Sequence, residues 1–190
     1  MTTWHMRWPQ WLRWGLLLQG MLAATLLAGC GATMKPADYA AEKPVLDLKT
    51  YFNGTVDAWG MFQDRSGKVI KRFTVVMHCH WDGDTGVLDE DFTYSDGTTQ
   101  KRVWTLKKVG ENRYIGTASD VVGEAVGETG GNTLNWTYVL ALPVDGRTWH
   151  VNFDDWMYLM DENVMLNRAV MSKFGFRLGE VTLSFRKRPV

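Results

Sequence analysis

The sequence contains little cysteine and no surplus of charge. Its 190 residues include only Cys30 and Cys79, and its 21 basic residues equal its 21 acidic residues. A nucleic-acid partner requires a basic face, so the balanced charge argues against that class of function. Two cysteines allow at most one disulfide, and none remains if Cys30 is modified, because Cys79 then has no partner within the chain.

The sequence also lacks the local motifs of common enzymes. It contains no Gly-x-Ser-x-Gly elbow, no phosphate-binding glycine loop and no His-Glu-x-x-His pair. Adjacent carboxylates such as Asp154 and Asp155 point to opposite faces of a strand, so they cannot converge on one substrate bond. Apolar neighbours raise the pKa of a thiol, which makes Cys79 a poor nucleophile. We therefore assign no catalytic residue, and a hydrolase is the third hypothesis for function.

A metal site is the weaker interpretation of the stretch His78-Cys79-His80. The period of two in a strand places both histidines on one face and Cys79 on the other, so at most two of these side chains can bind one ion. Zinc sites have at least three protein ligands. The sequence therefore predicts no metal and no cofactor.

The N-terminal segment has the organisation of a bacterial lipoprotein signal peptide. Arg7 and Arg13 precede an apolar run at residues 15–27, and Leu27-Ala28-Gly29-Cys30 closes that run. A positive start, an apolar centre and small residues before the cleavage point are the features such a peptide needs. We expect a signal-peptide helix over residues 1–29 and lipidation of Cys30. The alternative is an uncleaved span, which has only about 14 uninterrupted apolar residues where about 20 are usual.

Lipidation at Cys30 implies a location. Two or more acyl chains anchor a protein durably, whereas one chain binds a membrane reversibly. Gly31 follows the cysteine, and the aspartate that commonly retains Gram-negative lipoproteins in the inner membrane is absent from that position. We therefore expect anchoring to the periplasmic face of the outer membrane. Cleavage would remove two arginines and no acidic residue, which leaves the mature chain with a formal charge of −2.

The mature chain is predicted to have two parts. Residues 30–49 are polar and small, contain Pro36 and Pro44, and show no period, which is typical of a flexible tether. Residues 50–190 alternate between short runs of aromatic and β-branched residues and glycine-bearing turns. This pattern predicts one β-domain.

Alternation within those runs defines the fold class. Residues 73–81 and 134–142 place apolar side chains at every second position, which is typical of a strand with one buried face. We count about ten such strands, each linked to the next by a tight turn. We therefore predict an all-β protein, an antiparallel up-and-down barrel of the calycin type, because closure removes exposed edges. A helix at residues 163–173 is the main local alternative.

Several charged side chains fall on the apolar faces of these strands. If residues 95–97 form a three-residue hairpin loop with Gly97 in the left-handed conformation, the register places Glu90 opposite Arg102. By the same parity Asp155 lies on an apolar face, and so do Asn167 and Lys173 if their segment is extended.

These inward polar groups have two interpretations. A structural network is favoured, because buried charges persist only when they are paired and hydrogen-bonded. A ligand site is the second interpretation, because pockets combine apolar walls with a few convergent polar groups. Two consecutive strands carry small inward residues, which are Gly116, Ala118, Gly123, Ala125 and Gly127. They would either leave space for a ligand or let the opposite wall pack close. The candidate ligand-binding residues are Glu90, Arg102, Trp104, Asp155, Asn167 and Lys173.

Four blocks of sequence carry a resemblance to a known family. They are Phe52-Asn53-Gly54 with Trp59-Gly60-Met61-Phe62, the run from Leu88 to Gly97, Arg102-Val103-Trp104, and Asp154-Asp155-Trp156-Met157. In these blocks the chain resembles the DUF3833 family of bacterial lipoproteins, over roughly residues 51–185. The resemblance implies an envelope location and no activity. More loosely, a glycine and a tryptophan in the first strand, with Arg186 at the end of the last, resemble the calycin group that includes lipocalins.

The leading hypothesis for function is a lipid-anchored periplasmic barrel that binds or carries a small amphipathic, lipid-like molecule. The runner-up is a structural or assembly module of the cell envelope, in which the barrel is filled and its surface contacts other proteins. An exposed aromatic patch would favour the second hypothesis.

Overall fold

Ten β-strands form most of the described chain. The computed structural model describes residues 33–144 and 146–189, so the predictions for residues 1–29 and Cys30 lie outside the described residues. Within them, no helix combines the length and apolar character needed to span a bilayer. The elements are a 3-10 helix Pro36–Tyr39, helix α1 (Leu48–Tyr51), and strands β1 (Gly54–Asp64), β2 (Val69–Asp82), β3 (Thr85–Tyr94), β4 (Thr99–Lys108), β5 (Arg113–Thr117), β6 (Ala125–Gly130), β7 (Thr133–Val144), β8 (Arg147–Leu159), β9 (Val164–Lys173) and β10 (Phe176–Lys187).

The strands form a closed antiparallel barrel, which confirms the predicted fold class. Each strand pairs with the next along the chain, and β1 pairs with β10 to close the sheet. Closure gives every strand a partner on both sides, so no edge is left to pair with another chain. Residues 164–173 are a strand rather than a helix, because β8 and β10 both hydrogen-bond to them.

The β3–β4 hairpin has the predicted register. Its loop places Gly97 at φ +82°. The backbone N–H of Tyr94 donates to the carbonyl of Thr98, and the N–H of Gly97 donates to the carbonyl of Tyr94, each over 2.9 Å. A left-handed residue at this position favours glycine, which has no Cβ to clash. Glu90 therefore pairs with Arg102, as the sequence predicted.

The period of two places the core inside the barrel. In β2, Phe73, Val75, Met77 and Cys79 are buried, whereas the side chains between them are exposed or half-buried. The same alternation in the other strands fills the interior with apolar and aromatic side chains. Burying such a side chain contributes roughly 1.5–3 kcal/mol, so the inward faces supply most of the folding free energy.

Residues 35–53 close one end of the barrel, which corrects the prediction of a flexible tether for residues 35–49; residues 30–32 of that prediction lie outside the described residues. Leu46 and Leu48 are buried in the core, and the hydroxyl of Tyr51 donates to the carbonyl of Asn163 over 3.0 Å. The indole N–H of Trp81 donates to the carbonyl of Phe52 over 2.9 Å. A barrel leaves its two ends open, and aliphatic and aromatic side chains from this segment cover the core at the end where β1 begins.

Glycines on β5 and β6 let Trp136 pack flat against the wall. A Cβ at Gly127 would lie 2.1 Å from Cε3 of Trp136, and a Cβ at Gly116 would lie 2.6 Å from its Cζ2. Both distances are far below van der Waals contact. Gly116 and Gly127 therefore do not leave space for a ligand at this wall, because they accommodate the indole of Trp136 from β7. Ala118 and Gly123, predicted on the strands, lie in the loop between β5 and β6.

We expect Gly127→Ala to lower the free energy of unfolding by about 2 kcal/mol or more, because overpacking displaces Trp136. Gly110→Ala is the matched control, because its nearest contact would be 3.8 Å away at Arg113 Cβ, and we expect a change within about 0.5 kcal/mol. Urea unfolding followed by tryptophan fluorescence measures both. Equal effects in the two variants would contradict this account of the β5–β6 wall.

Candidate functional site

The barrel interior contains a cavity of about 430 Å³. Its floor is formed by Leu48 and Phe52, at the end that residues 35–53 close. Gln100 and Pro143 line its other end and are exposed, so the cavity reaches the surface there. Most of the remaining wall is apolar or aromatic, and the described part of the chain contributes a small set of polar side chains.

One polar group of the cavity is an ion pair between β4 and the loop after β5. The guanidinium of Arg102 donates from Nε and Nη2 to Asp120, with the closest approach 2.7 Å from Nη2 to Oδ2. Such bidentate pairs are the strongest ion pairs in proteins. Asp120 was not predicted from the sequence, because it lies in a loop where the strand period gives no direction for a side chain.

Glu90 lies beside this pair and deep in the wall. It is only 8% exposed, and its Oε2 is 4.0 Å from Nη1 of Arg102. Burial raises the pKa of Glu90 to about 7, although the nearby Arg102 guanidinium opposes that increase. The predicted contact with Arg102 is therefore present as an ion pair too long for a hydrogen bond.

A second polar group lies on the opposite wall. Asp155 on β8 accepts hydrogen bonds from Asn167 on β9 and, over 3.3 Å, from the hydroxyl of Tyr138 on β7. Burial raises the pKa of Asp155 to about 7, and these hydrogen bonds oppose the increase. Burial also raises the pKa of Tyr138 well above its usual value. Because β3 and β8 are five positions apart in a ten-strand ring, this cluster faces Glu90 across the cavity.

Trp104 lines the cavity, as expected for a wall residue. Its ring meets those of Trp136 and Tyr138 edge-on, with centroids 5.8 and 5.5 Å apart. Tyr138 in turn stacks on Phe153 at 5.0 Å. A continuous aromatic surface therefore joins the polar group on β7–β9 to the wall formed by β4.

Lys173 does not join the other candidates. Its ammonium donates to the carbonyl of His150 over 3.2 Å and lies 4.6 Å above the ring of Trp149, away from the cavity lining. Lys173 is the last residue of β9, where a long side chain can extend its charge towards solvent at little cost. The alternation of side chains along β9 predicts a face for Lys173, but it does not predict how close to the end of the barrel that residue lies.

The His78-Cys79-His80 stretch has the predicted orientation. Both histidines are exposed and Cys79 is buried, with a pKa raised to about 12 by that burial. In the described ranges, no group of three or more histidine, cysteine, aspartate or glutamate side chains has a geometry that could hold a metal ion.

The fold and the cavity define a class of protein: a lipocalin-like up-and-down β-barrel with buried polar groups in its interior. Comparison with known families then identifies the chain. The profile of the family described as "Protein of unknown function (DUF3833)" matches residues 24–187, so the chain belongs to that family.

Two solved structures share the barrel architecture. An S-type phycobiliprotein lyase from Guillardia theta superposes with a TM-score of 0.52 at 7% sequence identity, over 73% of this chain and 89% of that one. A protein of the DUF3598 family from Nostoc punctiforme PCC 73102 gives a TM-score of 0.53 at 10% identity, over 78% of this chain and 51% of that one. At these identities the likeness concerns the fold alone. A search of curated sequences gives no significant match.

Stability should fall as the pH rises from about 4.5 to 7. Folding raises the pKa of Glu90 from 4.5 to about 7, so the folded state binds more protons than the unfolded state in that interval, and the stabilisation is lost once the pH passes 7. The free energy of unfolding changes by roughly 1.4 kcal/mol for each unit of pKa shift. We therefore expect Glu90→Gln to reduce the pH-dependent decrease in the free energy of unfolding by about 3 kcal/mol. Urea unfolding at pH 5 and pH 8 measures the difference.

The control for this prediction is Asp91→Asn, on the outward face of the same strand. Asp91 is exposed and forms an ion pair with Lys101, so its replacement should leave the difference between pH 5 and pH 8 unchanged. A wild-type pH dependence in Glu90→Gln would show that Glu90 does not titrate in this interval.

Proposed function

We propose that this protein is a lipid-anchored envelope barrel that binds a small amphipathic molecule in its interior. The observation that carries the proposal is the cavity of about 430 Å³, which combines apolar walls with a few buried polar groups. Sites for small molecules commonly measure roughly 300–1,000 Å³ and have this composition. A barrel whose only purpose is structural gains nothing from such a space, because packing it would add dispersion contacts.

The energetic cost of the polar groups supports the same proposal. Taking a carboxylate out of water costs several kcal/mol unless its partners compensate. Asp155 has two hydrogen-bond donors, whereas the described residues offer Glu90 only the 4.0 Å approach of Arg102. A structural network would be better satisfied, and a bound molecule would supply the donor that Glu90 needs.

The N-terminal sequence supports the location. Arg7, Arg13 and the apolar run ending in Leu27-Ala28-Gly29-Cys30 form the pattern of a lipoprotein signal peptide. We propose lipidation at Cys30 and anchoring to the periplasmic face of the outer membrane, since Gly31 is not an aspartate.

Mass spectrometry of protein expressed from the full sequence and purified from cell envelopes tests both parts. We expect a denatured mass that begins at Cys30 and carries acyl chains, and a native spectrum with an added small molecule. Cys30→Ser should retain residues 1–29 and gain no acyl mass. Leu142→Trp, which fills the cavity near its mouth, should lose the small molecule but remain lipidated.

The experiment tests the lipid anchor and the bound ligand independently. A wild-type protein that retains residues 1–29 would reject the anchor. A native spectrum without a bound molecule, from correctly folded wild-type protein, would reject the ligand.

A specific observation favours a second candidate function, docking to another envelope protein. Two neighbouring hairpins at the open end of the barrel, β1–β2 and β9–β10, expose apolar side chains, with Ile70, Phe174 and Phe176 exposed by 62%, 85% and 75%. Phe174 also has φ +51°, a conformation that asparagine or glycine adopts more readily than phenylalanine. Within the fold its ring has the ammonium of Lys173 5.2 Å from its centroid, and the rest of the ring is exposed, which favours a contact outside the barrel.

A photo-crosslinking residue at position 174 tests this candidate in intact envelopes. Docking predicts one discrete protein adduct that disappears in the Phe176→Ser background, while the same probe at Trp59, exposed on the barrel side, gives none. Adducts of equal number and intensity at both positions would reject a specific contact at the hairpins.

A further inference from the structure

The charges around the cavity are unequal in sign. Of the described side chains that line it, Arg102 is the one cation, whereas Glu90, Asp120 and Asp155 are acidic. Asp120 already neutralises Arg102 through its bidentate contact. The remaining potential inside the cavity is therefore negative when Glu90 and Asp155 are ionised.

Glu90 is the acceptor that lacks a donor. Its side chain is 11% exposed, and no hydrogen bond to it exists within residues 33–144 and 146–189. Asp155, in contrast, accepts from both Asn167 and Tyr138. Removing water from an acceptor without supplying a donor costs about 1–3 kcal/mol, so a bound molecule that displaces water from this carboxylate would gain most by donating a hydrogen bond to it.

The aromatic walls favour a cation over a neutral group. The guanidinium of Arg102 already lies over the ring of Phe92, with its central carbon 5.4 Å from the ring centroid. The rings of Trp104 and Tyr138, which also line the cavity, meet edge-on. Ring faces attract cations through their quadrupole, most strongly where water is excluded.

Building on the proposed function, we propose that the bound molecule has an apolar body and an amine or ammonium end, whose N–H groups donate to Glu90. A carboxylic acid fits the same cavity poorly. Its charge would add a further carboxylate beside Glu90 and Asp120, while the one guanidinium is already paired. Like charges that lie close together repel strongly where water is excluded.

Ionisation of Glu90 would control the binding of such an end group. The groups that face Glu90 are Arg102 on β4, Asp120 in the loop after β5, Tyr138 on β7, Asp155 on β8, and Cys79 on β2, with Asp89 adjacent in the chain. An alkylammonium stays charged up to about pH 10, as lysine does. Between pH 6 and 8 the change in affinity therefore reports deprotonation of the carboxyl groups and not of the probe.

Calorimetric titration with octylamine, octanol and octanoate tests the inference, using the full chain in phosphatidylcholine nanodiscs and empty nanodiscs as the blank. The three probes share one chain length and differ in the end group. We expect octylamine to bind at least tenfold more tightly than octanoate at pH 8, and its affinity to fall at least threefold at pH 6. Glu90→Gln should weaken octylamine at least tenfold at pH 8 and leave octanol within twofold, while Asp91→Asn should change neither.

The outcomes separate this inference from the proposed function. Octanoate or octanol binding as tightly as octylamine, or octylamine binding unaffected by Glu90→Gln, overturns the amine assignment and leaves the barrel as a ligand-binding protein. Binding by none of the three probes also overturns the amine assignment. The proposed function itself fails only if the native mass spectrum of the envelope protein lacks a bound molecule as well.

Discussion

Closure of the ten-stranded sheet is the constraint on which the rest of the structure depends. Once β1 pairs with β10, every second side chain of each strand must face one interior. That interior receives the apolar residues that stabilise the fold, and it also receives Glu90, Arg102, Asp155 and Asn167, which occupy the same parity. The buried charges are thus held in place by backbone pairing, and they cannot turn to solvent without breaking the strand register.

The two halves of the barrel use that interior differently. Along β5 and β6 the small residues allow Trp136 to lie against the wall, and this side is filled. Along β3, β4 and β7–β10 larger side chains stand apart around the cavity. Packing density in protein interiors is normally close to that of organic crystals. A cavity of this size beside a tightly packed wall is therefore a local feature of the sequence, and not a general looseness of the barrel.

Burial links the polar groups to stability and to the proposed binding of a ligand. The pKa of Glu90 and the pKa of Asp155 rise to about 7 because water is excluded from them. Their charge therefore changes near neutral pH, at a cost to the folded state as the pH rises. Asp155 offsets part of that cost with donors from Asn167 and Tyr138. Glu90 has no such donor among the described residues, so its cost to the folded state is not offset in the same way.

The sequence by itself determined what depends on neighbours along the chain. Alternation and turn residues specified the strands, and the three-residue loop with Gly97 placed Glu90 opposite Arg102, because pairing in a hairpin follows directly from its loop. Only the tertiary structure decided what depends on depth and on distant contacts. It brought Asp120 to Arg102, placed Lys173 beside Trp149, and folded residues 35–53 over one end of the core. The alternation of residues along a strand determines which face a side chain takes. Its distance from the end of the barrel, and the loop that contacts it, follow from closure of the whole sheet.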